Sequence, residues 1–232
     1  MTRARFVLTC EHASAALPDE YGTLGLSPEH LLDHIAWDLG AAAVTEELSR
    51  CLAAPAVLSA ASRLLVDCNR DLTDADLIPH ASCGVSVPGN AAVCDEERAR
   101  RLARFYDPYH AAIDAALQRH PDALLVSIHS FTPELNGRPR PFDVGVLFDD
   151  FEDLAQDFAQ RLATSGFSVR MNEPYSGLDG LIFSARSHGR LHGVRYLELE
   201  INNRMLRSDG AARAVARRVA PAISGLATGD AR

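Results

Sequence analysis

The sequence of 232 residues contains no lysine, so all 23 of its basic side chains are arginines. This absence excludes a lysine Schiff base and a lysine general base. Aromatic residues are scarce, at 6%, and give no sign of a peptide-binding groove. Acidic residues outnumber basic ones, and the formal net charge of −8 argues against a nucleic-acid backbone as partner.

The five cysteines form no C-x-x-C pair and are odd in number, which favours a reducing compartment over a disulfide framework. The apolar run at the N-terminus is too short for a signal peptide. No run approaches the roughly 20 apolar residues that a membrane helix needs. The sequence therefore predicts a cytoplasmic protein with no membrane partner, and a single domain over residues 1–232.

Short apolar runs alternate with long amphipathic ones along the chain. Strands are expected at residues 5–9, 56–58, 64–66, 124–128, 143–148, 168–171 and 194–201. Helices are expected at residues 27–53, 95–119, 152–163 and 209–226, the first because Leu32, Ile35, Leu39 and Ala43 recur at helical spacing. This order predicts an α/β fold, with a mostly parallel mixed sheet flanked by helices on both faces.

In such a sheet the active site lies beyond the carboxyl ends of the strands. His12 follows the first expected strand, and His129 follows the strand at 124–128. Imidazole is the commonest zinc ligand, and a catalytic zinc site needs about three protein ligands plus water. The third ligand stays open between Glu11, which adjoins His12, and Asp38, which shares a face of the expected first helix with His34.

The segment 62–70 (SRLLVDCNR) carries Arg63, Asp67, Asn69 and Arg70 around a short apolar run. An arginine fork beside an asparagine suits a carboxylate, so one interpretation is a clamp for the anionic end of a substrate. The other is an ion pair between Asp67 and an arginine that holds the long loop at 67–90 in place.

The expected last strand (VRYLELEI) alternates with a period of two, which places Glu198 and Glu200 on one face. A carboxylate in a central strand is costly unless it is paired or lies near a metal. Glu200 lies nearer the carboxyl end, so we favour it as a general base. A direct role for Glu198 stays open beside a structural one.

Two further segments, both expected to be loops, carry candidate groups. Arg138 and Arg140 follow His129 and are placed to reach an anionic substrate. His188 precedes the last strand and would polarise a carbonyl or stabilise an oxyanion. The alternative for each is a surface loop with solvated charge.

Taken together, an ordered set of motifs resembles the N-formylglutamate amidohydrolase family. The motifs are CEHAS, HIAWDLGA, SRLLVDCNR, IHSFTP, DVGVLFD, NEPYSG and LELEIN. The resemblance covers nearly the whole chain, and it implies a fold similar to that of zinc carboxypeptidases and aminoacylases.

The resemblance also implies roles for individual residues. It makes His12, His129 and, as third ligand, Asp38 the holders of one zinc or other divalent ion per chain. It makes Glu200 the catalytic base and the pair Asn69-Arg70 the clamp for the substrate carboxylate. The implied activity is hydrolysis of the amide of a small anionic N-acyl amino acid such as N-formylglutamate. Alternatives are another zinc deacylase or carboxypeptidase, or a non-catalytic metal- or anion-binding relative.

Overall fold

The computed structural model describes residues 4–226. Within this range the strands form one six-stranded sheet and two small hairpins. They are β1 Phe6–Cys10, β2 Ala56–Leu58, β3 Ala81–Ser82, β4 Val85–Ser86, β5 Leu124–Phe131, β6 Glu134–Leu135, β7 Arg138–Pro139, β8 Val144–Leu147, β9 Val169–Met171 and β10 Tyr196–Asn202. The helices are α1 Pro28–Leu31, α2 Ala41–Leu52, α3 Asp95–Arg101, α4 Asp107–Arg119, α5 Glu152–Thr164, α6 Phe183–His192 and α7 Asp209–Ser224.

The central sheet has the strand order β2-β1-β5-β10-β8-β9. The first four strands in that order are parallel, while β8 pairs antiparallel with β10 and β9 runs parallel to β8. Helices α2, α5 and α7 pack on one face and α4 and α6 on the other. The predicted α/β class, with a mostly parallel mixed sheet covered on both faces, is confirmed. None of the helices in residues 4–226 has the length and apolar character to cross a membrane.

The prediction of a single helix at residues 27–53 is wrong. Helix α1 ends at Leu31, turns follow, and α2 begins only at Ala41. Leu32, which the helical stripe would have buried, is 68% exposed. Gly40 makes the break with a left-handed φ of 81°, and its missing side chain leaves room for Leu206. Asp38 therefore lies in a turn rather than on a helical face shared with His34.

The helix expected at residues 95–119 is present without interruption, and it contains a π-helical segment, Leu102–Tyr106, just before Pro108. Two other local expectations need correction. Residues 64–66 form no strand, and Leu64 and Leu65 lie in a turn. The segment around His188, expected to be a loop, is helix α6. Each error arises where packing against distant parts of the chain overrides the local pattern.

The long segment at residues 60–90, which carries Asp67 and Asn69, is anchored by a buried polar pair. The Asn90 amide donates to the carbonyls of Leu64 and Pro79, and it accepts from Arg101 through its own oxygen. Both Asn90 and Arg101 are buried. An irregular segment needs such partners because its buried carbonyls have no strand or helix to satisfy them.

Gly145 in β8 lets a loop approach the sheet beside Glu200, its partner across the β8–β10 ladder. A Cβ at position 145 would lie 1.9 Å from the carbonyl oxygen of Glu173 and 3.4 Å from the Cβ of Glu200. The first distance is too short for any non-bonded contact, so the Glu173 backbone occupies the space that a side chain would need.

We expect Gly145→Ala to lower the free energy of unfolding by about 1–3 kcal/mol, because the Glu173 segment must move away. The matched control is Gly210→Ala in the first turn of α7, where the new Cβ meets only Ser208 Oγ at 3.9 Å. The control should raise stability by up to about 1 kcal/mol. Urea denaturation measures both, and equal effects of the two variants would contradict the close approach.

Candidate active site

Near the carboxyl ends of β1, β5 and β10, one face of the sheet carries polar side chains in place of apolar ones. Ser127 and His129 of β5 stand opposite Glu198 and Glu200 of β10 in the parallel register. All four are buried on the face that α4 and α6 cover. The period-two pattern predicted for the last strand therefore brings both glutamates to the histidine of its neighbour.

The carboxylate of Asp38 lies between two imidazoles. Its Oδ2 is 2.8 Å from Nδ1 of His129, and its Oδ1 is 3.5 Å from Nδ1 of His12. All three side chains are buried. The turn that interrupts the expected first helix is fixed here by two backbone hydrogen bonds, from the Asp38 N–H to the His12 carbonyl and from the Ser130 N–H to Oδ2.

A second carboxylate lies behind each imidazole. His12 Nε2 is 2.7 Å from Oδ1 of Asp67, and His129 Nε2 is 2.9 Å from Oε2 of Glu11. Glu11 in turn accepts hydrogen bonds from the hydroxyls of Tyr109 and Ser127. Both rings therefore direct Nδ1 towards Asp38 and have Nε2 fixed from outside.

The charges of this network stabilise one another. Burial alone would raise the pKa of Glu11 and of Asp38, but the neighbouring imidazoles hold both below their ordinary values. Burial alone would lower the pKa of His129, yet the charge of Glu198 and the hydrogen bonds to Asp38 and Glu11 raise it well above the usual range.

The two glutamates of β10 differ in their partners. Glu198 Oε2 is 3.5 Å from both His129 Nε2 and the amide nitrogen of Asn69. Oε2 of Glu200 is buried and has no hydrogen-bond partner within residues 4–226. Burial raises the pKa of Glu198 to about 7, although the charge of His129 opposes this, and burial also raises the pKa of Glu200 well above its usual value.

A cavity of about 290 Å³ opens over these groups. It is lined by many of the residues that the sequence singled out: His12, Asp38, Arg63, Asp67, Asn69, Arg70, His129, Glu198 and Glu200. Arg140 stands beside the cavity, with Nη1 at 3.4 Å from both the Thr132 hydroxyl and the Tyr175 hydroxyl, whose residues line it. The arrangement places an arginine and a tyrosine on the side where Glu200 lies.

Arg63 is held in an ion pair. Its Nη2 donates to Oδ2 of Asp67 at 2.7 Å, and its Nη1 lies 3.2 Å from Nδ1 of His12. Of the two sequence interpretations of this segment, the ion pair is present. It holds the carboxylate that fixes His12.

The side-chain amide of Asn69 forms its hydrogen bonds within the protein. Its amide oxygen accepts from the Ser184 N–H at the start of α6, and its amide nitrogen donates to the Leu181 carbonyl. Arg70 Nη1 donates to the carbonyl of Asn69. Asn69 thus tethers α6 to the long loop, and a clamp built on this pair would depend on Arg70.

His188 does not join the other candidates. It lies on α6, outside the residues that line the cavity. Its Nδ1 is 2.8 Å from Asp114, and its Nε2 is 2.8 Å from His110. Both ring nitrogens are therefore engaged elsewhere, and the geometry gives no support to a role for His188 on the carbonyl.

Sequence reasoning missed the contributions of Tyr109 and Tyr175. Tyr109 donates to Glu11 from α4, and Tyr175 approaches from the loop after β9. The motif NEPYSG, which contains Tyr175, contributes to the family resemblance, but nothing in its spacing showed which group the tyrosine would face.

The residues fit a divalent ion. Ligand atoms of His12, Asp38 and His129 lie within 4.8 Å of one another, and those of His129, Glu198 and Glu200 form a second such group. Two imidazoles and a carboxylate suit zinc and other transition metals. In metal sites a carboxylate commonly holds the far nitrogen of each histidine ligand, and Asp67 and Glu11 occupy that position behind His12 and His129.

Fold and site together define a hydrolase of the α/β type, with histidines and carboxylates at the carboxyl edge of its sheet. The family model of N-formylglutamate amidohydrolase matches residues 4–207. The chain belongs to this family and is an amidohydrolase.

Two solved structures share this fold. A crystallised gene product of Agrobacterium tumefaciens is 34% identical, with 95% of this chain and 91% of that chain covered and a TM-score of 0.89. N-formylglutamate amidohydrolase from Ralstonia eutropha JMP134 is 21% identical over the same shares of the two chains, with a TM-score of 0.68, and shows a shared fold. A comparison with curated protein sequences finds no match.

We expect Asn69→Ala to lower the free energy of unfolding by about 1–3 kcal/mol, because the Ser184 N–H and the Leu181 carbonyl lose their partner. The control is Asn203→Ala, whose side chain makes no hydrogen bond within the described residues. Chemical denaturation measures both variants. Unchanged stability of Asn69→Ala with a raised KM would instead favour a direct contact between Asn69 and substrate.

Proposed function

We propose that this amidohydrolase is metal-dependent and hydrolyses N-formylglutamate or a similar N-acyl amino acid. The observation that carries the proposal is the pair of buried imidazoles directed at Asp38, each fixed from behind by a carboxylate. A purely structural cluster would not require an unpaired carboxylate beside it, yet Glu200 provides one.

His12, Asp38 and His129 would hold the ion, with zinc as the first choice. An ion bound there would polarise the carbonyl of the substrate and make a water molecule more acidic. Asp38 is favoured over Glu11 as the third ligand because Glu11 lies behind His129, where its oxygens accept from Tyr109 and Ser127. Glu11 and Asp67 then serve to orient the two rings.

Glu200 acts as the general base. Its free Oε2 is buried next to His129 at the cavity wall, and burial raises its pKa well above the usual value of a glutamate. It takes a proton from the attacking water and delivers one to the leaving amine. His188 has no part in this scheme.

The substrate carboxylates need cationic partners. Arg140 and Arg70 are the proposed ones, because neither is locked in a short ion pair with an aspartate as Arg63 is. Arg140 lies over the ring of Tyr175, 5.0 Å from its centroid, which orients the guanidinium towards the side of the cavity that holds Glu200. Arg63, which is paired with Asp67, would favour an anionic substrate mainly through the electrostatic field of its positive charge.

We expect Glu200→Gln to retain the metal while turnover of N-formyl-L-glutamate falls by about 10²- to 10⁴-fold, because the amide cannot accept the proton. The matched variant Asp38→Asn should instead lose metal affinity. Metal content by plasma mass spectrometry and hydrolysis before and after chelation measure both effects. Undiminished turnover in Glu200→Gln would remove the proposed base.

Arg140→Met should lower kcat/KM for N-formyl-L-glutamate by about 10- to 100-fold, the loss expected for one charged hydrogen bond. Arg138→Met is the control and should match the parent enzyme, because Arg138, although a candidate from the sequence, is exposed in β7 and does not line the cavity. A panel of N-formyl and N-acetyl amino acids identifies the substrate. If an N-formyl amino acid amide with a neutral side chain, which carries no carboxylate, lost as much rate as the glutamate derivative, Arg140 would not be a carboxylate partner.

A further inference from the structure

A second cluster of histidines with a carboxylate lies between α4 and α6. Oδ1 of Asp114 is 2.8 Å from both His188 Nδ1 and His192 Nε2, and ligand atoms of the three residues lie within 4.8 Å of one another. Nδ1 of His110 is 2.8 Å from the remaining nitrogen of His188. None of the four residues lines the active-site cavity.

Helical spacing produces this convergence. His188 and His192 are four residues apart on α6, and His110 and Asp114 are four apart on α4. Residues with this spacing share one face of a helix, so the two pairs meet where the helices pack. Two histidines one turn apart are also the means by which a helix presents two imidazoles to one zinc ion.

We propose that Asp114, His188 and His192 form a second site for a divalent transition metal, which joins α4 to α6. Imidazole nitrogens with a single carboxylate favour zinc, copper or nickel over magnesium or calcium. The site can be reached from solvent, since the side chains of Asp114 and His192 are 33% and 14% exposed. It is independent of the proposed function of the cavity.

His110 completes the site from behind. Histidine ligands usually have their second ring nitrogen held by another group, and His110 holds Nε2 of His188. Nε2 of His110 is buried without a hydrogen-bond partner in the described part of the chain. When His188 gives the lone pair of Nδ1 to an ion, its Nε2–H donates to His110 Nδ1, and His110 carries its own proton on Nε2.

The two helices joined by this site also support the cavity. Ser184 at the start of α6 donates its N–H to Asn69, and Tyr109 on α4 donates its hydroxyl to Glu11. An ion between α4 and α6 would therefore stabilise the supports of the active site without touching it.

The test is calorimetric titration of chelator-treated full-length protein with Zn²⁺ alone. We expect about two ions per chain for the parent protein and about one fewer for His192→Ala and for Asp114→Asn. His80→Ala, which removes an exposed histidine outside both clusters, should bind as the parent does. Asp38→Asn should leave the α4–α6 ion in place, and adding His192→Ala to it should remove that ion. Circular dichroism confirms that each variant is folded.

The outcomes separate the two metal sites. An ion that is lost in His192→Ala and Asp114→Asn but kept in Asp38→Asn supports the second site, even if the cavity binds nothing. If folded His192→Ala and Asp114→Asn bind as much Zn²⁺ as the parent, the cluster is only a hydrogen-bond network between helices and the proposal is wrong. The same holds if Asp38→Asn alone abolishes all binding.

Discussion

The site depends on a row of buried groups in which acids and imidazoles alternate. From one end it runs Glu11, His129, Asp38, His12 and Asp67, with neighbours 2.7–3.5 Å apart. The half-buried Arg63 pairs with Asp67 at its other end. None of these charges could be buried alone, because removal from water costs several kcal/mol for each ion. Each member is tolerable only because its neighbours carry the opposite charge or accept its proton, so the row forms as a unit.

Members of the row come from parts of the chain with very different regularity. Glu11 directly follows β1, and His129 lies in the adjacent parallel strand β5, so the pairing of the two strands brings them together. Asp38 and Asp67 come from turns, and these need their own supports: the backbone bond to His12 for the first and the Asn90–Arg101 pair for the segment that carries the second. The sheet therefore positions Glu11 and His129, while turns held by buried hydrogen bonds position the aspartates that face the histidines.

This division explains what the sequence could predict. The positions of His12, His129 and Glu200 follow from two rules, that side chains alternate along strands and that sites lie at carboxyl ends. Asp38 was expected on a helix, because the apolar spacing of the segment gave no sign of the turn before Gly40. It nevertheless lies beside His12 and His129. The engagement of His188 with His110 and Asp114 could not be read from spacing alone, since it also depends on how α4 packs against α6. Tyr109, on α4, was missed for the same reason. Tyr175 was missed because its position depends on how the loop after β9 folds over the cavity.

The contrast between Glu198 and Glu200 shows how one strand can serve structure and chemistry at once. Both glutamates are buried on the same face, two residues apart, and burial raises the pKa of each. Glu198, however, lies deeper along the strand, within 3.5 Å of His129 and Asn69, whereas Glu200 keeps an oxygen without a partner. Because a buried free oxygen is costly unless something else satisfies it, the position of Glu200 makes sense only if water, substrate or an ion completes its surroundings. The proposal that Glu200 transfers protons while Glu198 supports the site rests on this difference in partners.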